Sequence, residues 1–158
     1  MMAEAFTAGV RPGGLTDDTQ IRMLLCYLIK VTGPVKRDTM QGALLQEQLV
    51  NYFEFADALV EVEKQKLVTI DAEGRYTITQ KGSTVADTLA YDLPRTVRES
   101  AIHAVMQIRS WSHRAASNRA TVQEKDGKYS VVCTIGDMGS DVFRMELAMP
   151  DKLTAEMI

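Results

Sequence analysis

Few residues in this chain are spaced for covalent or metal chemistry. His103 and His113 lie ten positions apart, and neither has a cysteine or carboxylate at metal-ligand spacing. Ser110-Trp111-Ser112-His113 puts hydroxyls beside an imidazole, but nucleophilic catalysis needs those groups oriented by separate elements, which adjacency does not achieve. Gly13-Gly14 lacks the lysine that follows in a phosphate-binding loop. Cys26 and Cys133 sit in apolar runs and read as buried thiols of a reducing compartment. Met145 and Met149 read as core filler. The expectation is a protein with no catalytic residues, no cofactor and no metal. The remaining chemistry is ionic. Lys36 and Arg37 precede a helix, Arg75 follows a tight turn, and Lys64 ends a helix that begins at Asn51-Tyr52. Cations near helix N-termini are where phosphate oxygens are held.

The elements that position these residues follow from pattern. Residues 1–15 contain Gly9, Pro12, Gly13 and Gly14 and read as a flexible N-terminal arm. Asp17 and Gln20 have capping-box spacing and open a first helix, in which Ile21, Leu24, Leu25, Leu28 and Ile29 recur at helical spacing. Gly33-Pro34 ends it. Asp38 and Gln41 are expected to cap a second helix, and Asn51 and Glu54 a third, with Phe55, Leu59 and Val62 on one inward stripe. Strands are expected at 67–70 and 75–79 around the turn Asp71-Ala72-Glu73-Gly74. A fourth helix is placed after Gly82, capped by Ser83 or Thr84, and Pro94 either interrupts it or begins a new helix at its first position. A fifth runs to about His113, and the stretch from Ser112 to Ala120 reads as a connection.

The tail alternates with period two. Asp126-Gly127 is a strong hairpin signal; it pairs Lys125 with Lys128, Glu124 with Tyr129, Val122 with Val131 and Ala120 with Cys133. Phe143, Met145 and Leu147 alternate with Arg144 and Glu146 in a third strand. Tyr129, Val131, Cys133, Phe143, Met145 and Leu147 are therefore expected on one buried face, covered by the fifth helix. The fold class is α+β: an N-terminal winged helix-turn-helix, then a helix and a three-stranded antiparallel β-meander. The expected domains are residues 16–92 and 93–158, after the arm.

Composition limits the function classes. The chain has 158 residues, 46% of them hydrophobic, and a net charge of −3. No global field draws it to polyanions. The longest apolar run, Met23 to Ile29, is too short to cross a bilayer, and residues 1–16 show no leader pattern, so a cytoplasmic protein without membrane contact is expected. Residues 1–92 hold nine Lys and Arg against thirteen Asp and Glu, a net −4, while residues 93–158 are net +1.

Leu49-Val50-Asn51-Tyr52-Phe53 through Thr69, followed by Gly74 to Gly82 with the pattern Tyr76, Ile78, Thr79, Lys81, Gly82, resembles winged-helix regulators of the MarR and PadR type. The whole chain is more similar to the family called domain of unknown function 4364. That resemblance implies an N-terminal winged helix, an α+β tail and a regulatory role, with no ligand or operator attached.

One feature of the third helix runs against DNA. Opposite its inward stripe lie Glu54, Asp57, Glu61, Lys64 and Gln65, a local charge of −2, where a winged helix meets the major groove. One acid can accept from cytosine, whereas three are repelled by phosphate. The stripe is either a solvated face or faces a protein. Arg95, Arg98 and Arg109 share one side of the fifth helix, either solvated or pairing with that stripe. The expected function is a winged-helix DNA-binding regulator, with Lys36, Arg37, Asn51, Tyr52, Lys64 and Arg75 on duplex DNA. The other reading is a winged-helix protein–protein interaction module without DNA binding. A homodimer is expected through Val85, Leu89, Val97, Ile108 and Trp111.

Overall fold

The computed structural model describes residues 8–15, 17–137 and 140–157. Its elements are α1 (Asp18–Thr32), β1 (Val35–Lys36), α2 (Arg37–Gln46), α3 (Tyr52–Lys64), β2 (Val68–Ile70), β3 (Arg75–Ile78), α4 (Gln80–Leu89), a 3-10 turn (Ala90–Asp92), α5 (Arg95–Ser117), β4 (Asn118–Lys125), β5 (Lys128–Asp137), β6 (Ser140–Met149) and α6 (Lys152–Glu156). The fold is α+β, with helices and a small wing-like sheet ahead of a long helix and an antiparallel meander. The chain forms two units that divide between Arg109 and Ser110. The division falls inside α5, not at 92/93 where the sequence suggests it. Leu93, Val97, Ala101, Ala104 and Val105 are the reason, because all five are buried in the core of the first unit.

In the first unit α1 is the central element. Asp17 caps it as expected, accepting from the Thr19 and Gln20 amides at 2.7 and 3.3 Å. Leu24, Leu25 and Leu28 are completely buried, so one helix supplies several fully desolvated leucines to the core. α1 packs against both α3 and α4.

The wing-like sheet has strand order β1-β3-β2. β1 is too short to show a sequence period. It pairs Val35 with Tyr76 and Lys36 with Arg75. That pairing also moves the start of α2: Lys36 stands at its N-cap without a side-chain bond, and Asp38 lies inside the first turn. The expected Asp38 cap is corrected accordingly.

α4 likewise starts before Gly82, and its cap is Thr79, not Ser83 or Thr84. The Thr79 hydroxyl accepts from the Gly82 amide at 3.1 Å and donates toward the Leu67 carbonyl at 2.9 Å. Lys81 Nζ donates to the Gln65 carbonyl at 3.0 Å, and Tyr76 is buried. The residues that carried the family resemblance thus build the junction between wing and helix.

Residues 8–15, expected as part of a flexible arm, are tied down. Arg11 N–H donates to Gln48 O at 2.9 Å and Leu15 N–H to Leu49 O at 3.0 Å, and the Leu15 side chain is buried. A buried leucine outweighs the local glycine signal. The part of the expected arm in residues 1–7 lies outside the described residues.

The second unit contains the end of α5, the meander and α6. The meander register is the expected one: Lys125 opposes Lys128, Glu124 Tyr129, Val122 Val131, and Ala120 Cys133. Strand order is β4-β5-β6. Two expectations fail. Residues 112–117 continue α5 as helix, and β4 begins at the next residue, so no loop connects them. Burial is also confined to the central strand: Val131 and Val132, on opposite faces, are both buried, while Phe143 and Met145 are exposed. β6 is an edge strand, and the five-residue α6 that packs on the sheet is too short to cover its margin.

Candidate functional site

α3 carries the stripe on which the sequence places the candidate contacts. Asn51 caps it, accepting from Phe53 N–H at 2.8 Å, while its amide donates to Ala8 O at 2.6 Å. Each end of that amide thus makes one bond to the backbone. Phe55, Leu59 and Val62 are buried as their spacing implies. The opposite surface is not simply acidic. Tyr52 is 44% exposed, Phe53 64% and Val60 62%, and the two rings meet edge to face at 5.5 Å between centroids.

The acids sit partly aside from this surface. Glu54 and Glu61 are half-buried and, with Asp57, line a shallow cavity with Asp18 and Arg22 of α1. Arg22 bonds Asp18 at 3.4 Å, and Gln65 donates to Glu61 at 2.6 Å. Phe53 lies about 200° around the helix from Phe55 at 100° per residue. Its apolar character, off the buried stripe, was the available signal.

The wing tip holds its own cation. Arg75 Nε donates to Asp71 at 2.8 Å, and its Nη2 reaches Glu73 at 3.3 Å. Asp71 also accepts from the amides of Glu73 and Arg75, at 3.0 and 2.9 Å. The Arg75 amide, more than any other group, holds the Asp71 carboxyl below the usual carboxylate range. The Asp71 carboxylate in turn raises the Arg75 pKa, chiefly through the hydrogen bond it accepts from the guanidinium. Sequence adjacency shows the acids, but only the turn brings both onto one guanidinium.

Lys36 stands opposite Arg75 in the β1–β3 register, so Lys36, Arg37 and Arg75 form one corner of the wing. Lys36, Arg37 and Lys64 are exposed, and no ion pair among the described residues holds them.

The five residues expected at a dimer contact are dispersed. Val97 is buried in the first unit's core, and Val85 and Ile108 pack against that core. Val85 and Leu89 line a cavity of about 280 Å³ with Met23, Cys26 and Leu67. Trp111, in the second unit, is exposed. The basic side of α5 is used locally: Arg95 pairs with Glu99 at 2.6 Å and Arg109 donates to Pro34 O at 2.6 Å.

Neither histidine belongs to a group of three or more possible metal ligands among the described residues. Cys26 is buried, and desolvation pushes its thiol up to about 11. No helix among the described residues is long and apolar enough to cross a membrane.

A family model described as a domain of unknown function, DUF4364, matches residues 21–158. No curated protein and no solved structure matches the chain.

Proposed function

We propose, from the premise that this chain belongs to the DUF4364 family, that it is a winged-helix interaction module whose α3 surface binds a protein partner. The observation that carries this reading is the exposed Tyr52–Phe53–Val60 surface on the helix that would otherwise enter a DNA groove. Aromatic anchors with an acidic border suit a partner surface that is apolar at its centre and lysine- or arginine-rich at its edge. Phosphate binding calls for free cations, and Arg75 is neutralised by Asp71 and Glu73.

A second reading, duplex DNA binding by a transcriptional regulator, is favoured by the exposed cations Lys36, Arg37 and Lys64. In either reading we propose a homodimer, with Trp111 of α5 as an exposed apolar contact. Sedimentation velocity at micromolar concentration tests the dimer, and a strict monomer refutes it.

One experiment separates the two targets. A photoreactive phenylalanine analogue replaces Phe53, and the protein is irradiated in its native cells. A discrete adduct that survives nuclease and is lost to protease supports the protein partner. A nuclease-sensitive adduct refutes it in favour of DNA. Purified protein that binds random duplex with a steep salt slope, lost in Lys36→Ala with Arg37→Ala, would refute it independently.

A further inference from the structure

α1, α4, the 3-10 turn and the start of α5 line an open cavity of about 350 Å³ in the first unit. Arg98 reaches into its lining from α5. The guanidinium carbon lies 5.7 Å from the Tyr27 ring centroid and 5.4 Å from that of Tyr91, within cation–π reach of both. Its Nε is buried and has no hydrogen-bond partner. No carboxylate among the described residues forms an ion pair with Arg98. The one acid lining the cavity, Asp87, is paired with Lys30. The lining thus carries two cations and one anion, a local charge of +1.

A guanidinium offers five N–H donors in a rigid fork, and a buried donor left unpaired is costly. Tyrosine faces satisfy its charge in part, but accept none of the in-plane N–H bonds that an oxyanion would take. Val31, Ala86 and Ala90 make the rest of the wall apolar, and Tyr91 stands at it with its side chain largely in solvent, the residue being 82% exposed. This combination of apolar wall, aromatic face and one unmatched cation is the composition of a small-molecule site.

We propose that this cavity binds a small organic anion with a flat apolar body. Arg98 takes the oxyanion, and Tyr91 covers the body. The inference stands apart from the α3 surface and does not depend on what α3 binds. A carboxylate and a phosphate monoester share this chemistry, and the test distinguishes them.

The probes are benzoate, phenyl phosphate and the neutral benzamide, titrated into the full chain by calorimetry and thermal shift up to about 5 mM, the weak limit of specific affinity. Benzoate, phenyl phosphate or both bind and raise the melting temperature, whichever binds more tightly naming the headgroup, while benzamide binds at least about tenfold more weakly. Arg98→Gln keeps a planar polar end without the charge and loses at least about tenfold in affinity, and Tyr91→Ala weakens binding without unfolding the chain. Retained binding in Arg98→Gln overturns the proposal, as does equal binding of benzamide. Should Arg98→Gln fail to fold, Tyr91→Ala carries the same test: unchanged affinity for both anions overturns the proposal. No binding of either anion to the wild-type chain makes Arg98 a packing residue and ends the proposal.

Discussion

Gly82→Ala perturbs the wing-to-helix junction through a single methyl group. A Cβ at position 82 would fall on the Leu67 carbonyl oxygen, too close for any real contact, with the Ile78 Cδ1 also crowding it. The isoleucine tip can move, but the carbonyl cannot without loss. That oxygen accepts from Thr79 N at 3.0 Å and from the Thr79 hydroxyl at 2.9 Å, so displacing it strains two hydrogen bonds. Overpacking costs about 1–3 kcal/mol. Weakening the two bonds adds about 1–2 kcal/mol. Alanine's helix preference returns about 1 kcal/mol at most. The expected net destabilisation is therefore about 1–4 kcal/mol, or roughly 0.5–2 M in the urea midpoint at a slope of about 2 kcal/mol/M. Urea unfolding followed by far-ultraviolet circular dichroism measures it. Gly74→Ala is the control: nothing lies within 4 Å of its Cβ, and its φ of +75° alone sets the cost, about 1–2 kcal/mol. A Gly82→Ala midpoint equal to wild type, or above it, would refute the close approach and the junction built on it.

Asp71→Asn with Glu73→Gln should free Arg75 and strengthen binding to random duplex DNA at low salt; unchanged affinity would mean that the wing cation has no access to phosphate even when released. The Asp71 bonds also give the wing a pH dependence of known sign. Its carboxyl is held below the ordinary value, so its stabilisation is present above about pH 4 and is lost as pH falls through the lower folded value. Amide protection of Glu73 and Arg75 should fall on that acid limb in wild type and be low at neutral pH in Asp71→Asn. Phe55→Ala removes a ring with no solvent exposure and should cost about 3–5 kcal/mol in chemical denaturation. Cys133 should react with iodoacetamide at pH 8 well before Cys26, whose buried thiol is pushed up to about 11; equal rates would contradict the burial.

The sequence by itself determined what is short-range. Asp17 and Asn51 cap helices because the backbone amides that donate to them lie two or three residues away. Asp126-Gly127 sets the meander register because a two-residue turn and a period of two leave one pairing. Only the tertiary structure decided what depends on partners distant along the chain. β1 exists because Val35 and Lys36 meet β3 forty residues on. Residues 8–15 are held because Leu15 finds a core built mainly by the helices that follow it. Exposure behaves the same way: Phe143 and Met145 alternate as core residues should, yet an edge strand leaves them in solvent. The candidate sites belong to this second kind. Asn51 and Tyr52 were legible at the start of α3, but not that Phe53 and Val60 would be left outside. The Tyr27–Arg98–Tyr91 arrangement draws on three elements, and no periodicity along one of them encodes it. Local signals specify backbone geometry and facing, whereas burial and charge pairing are properties of the assembled surfaces, settled only when those surfaces meet.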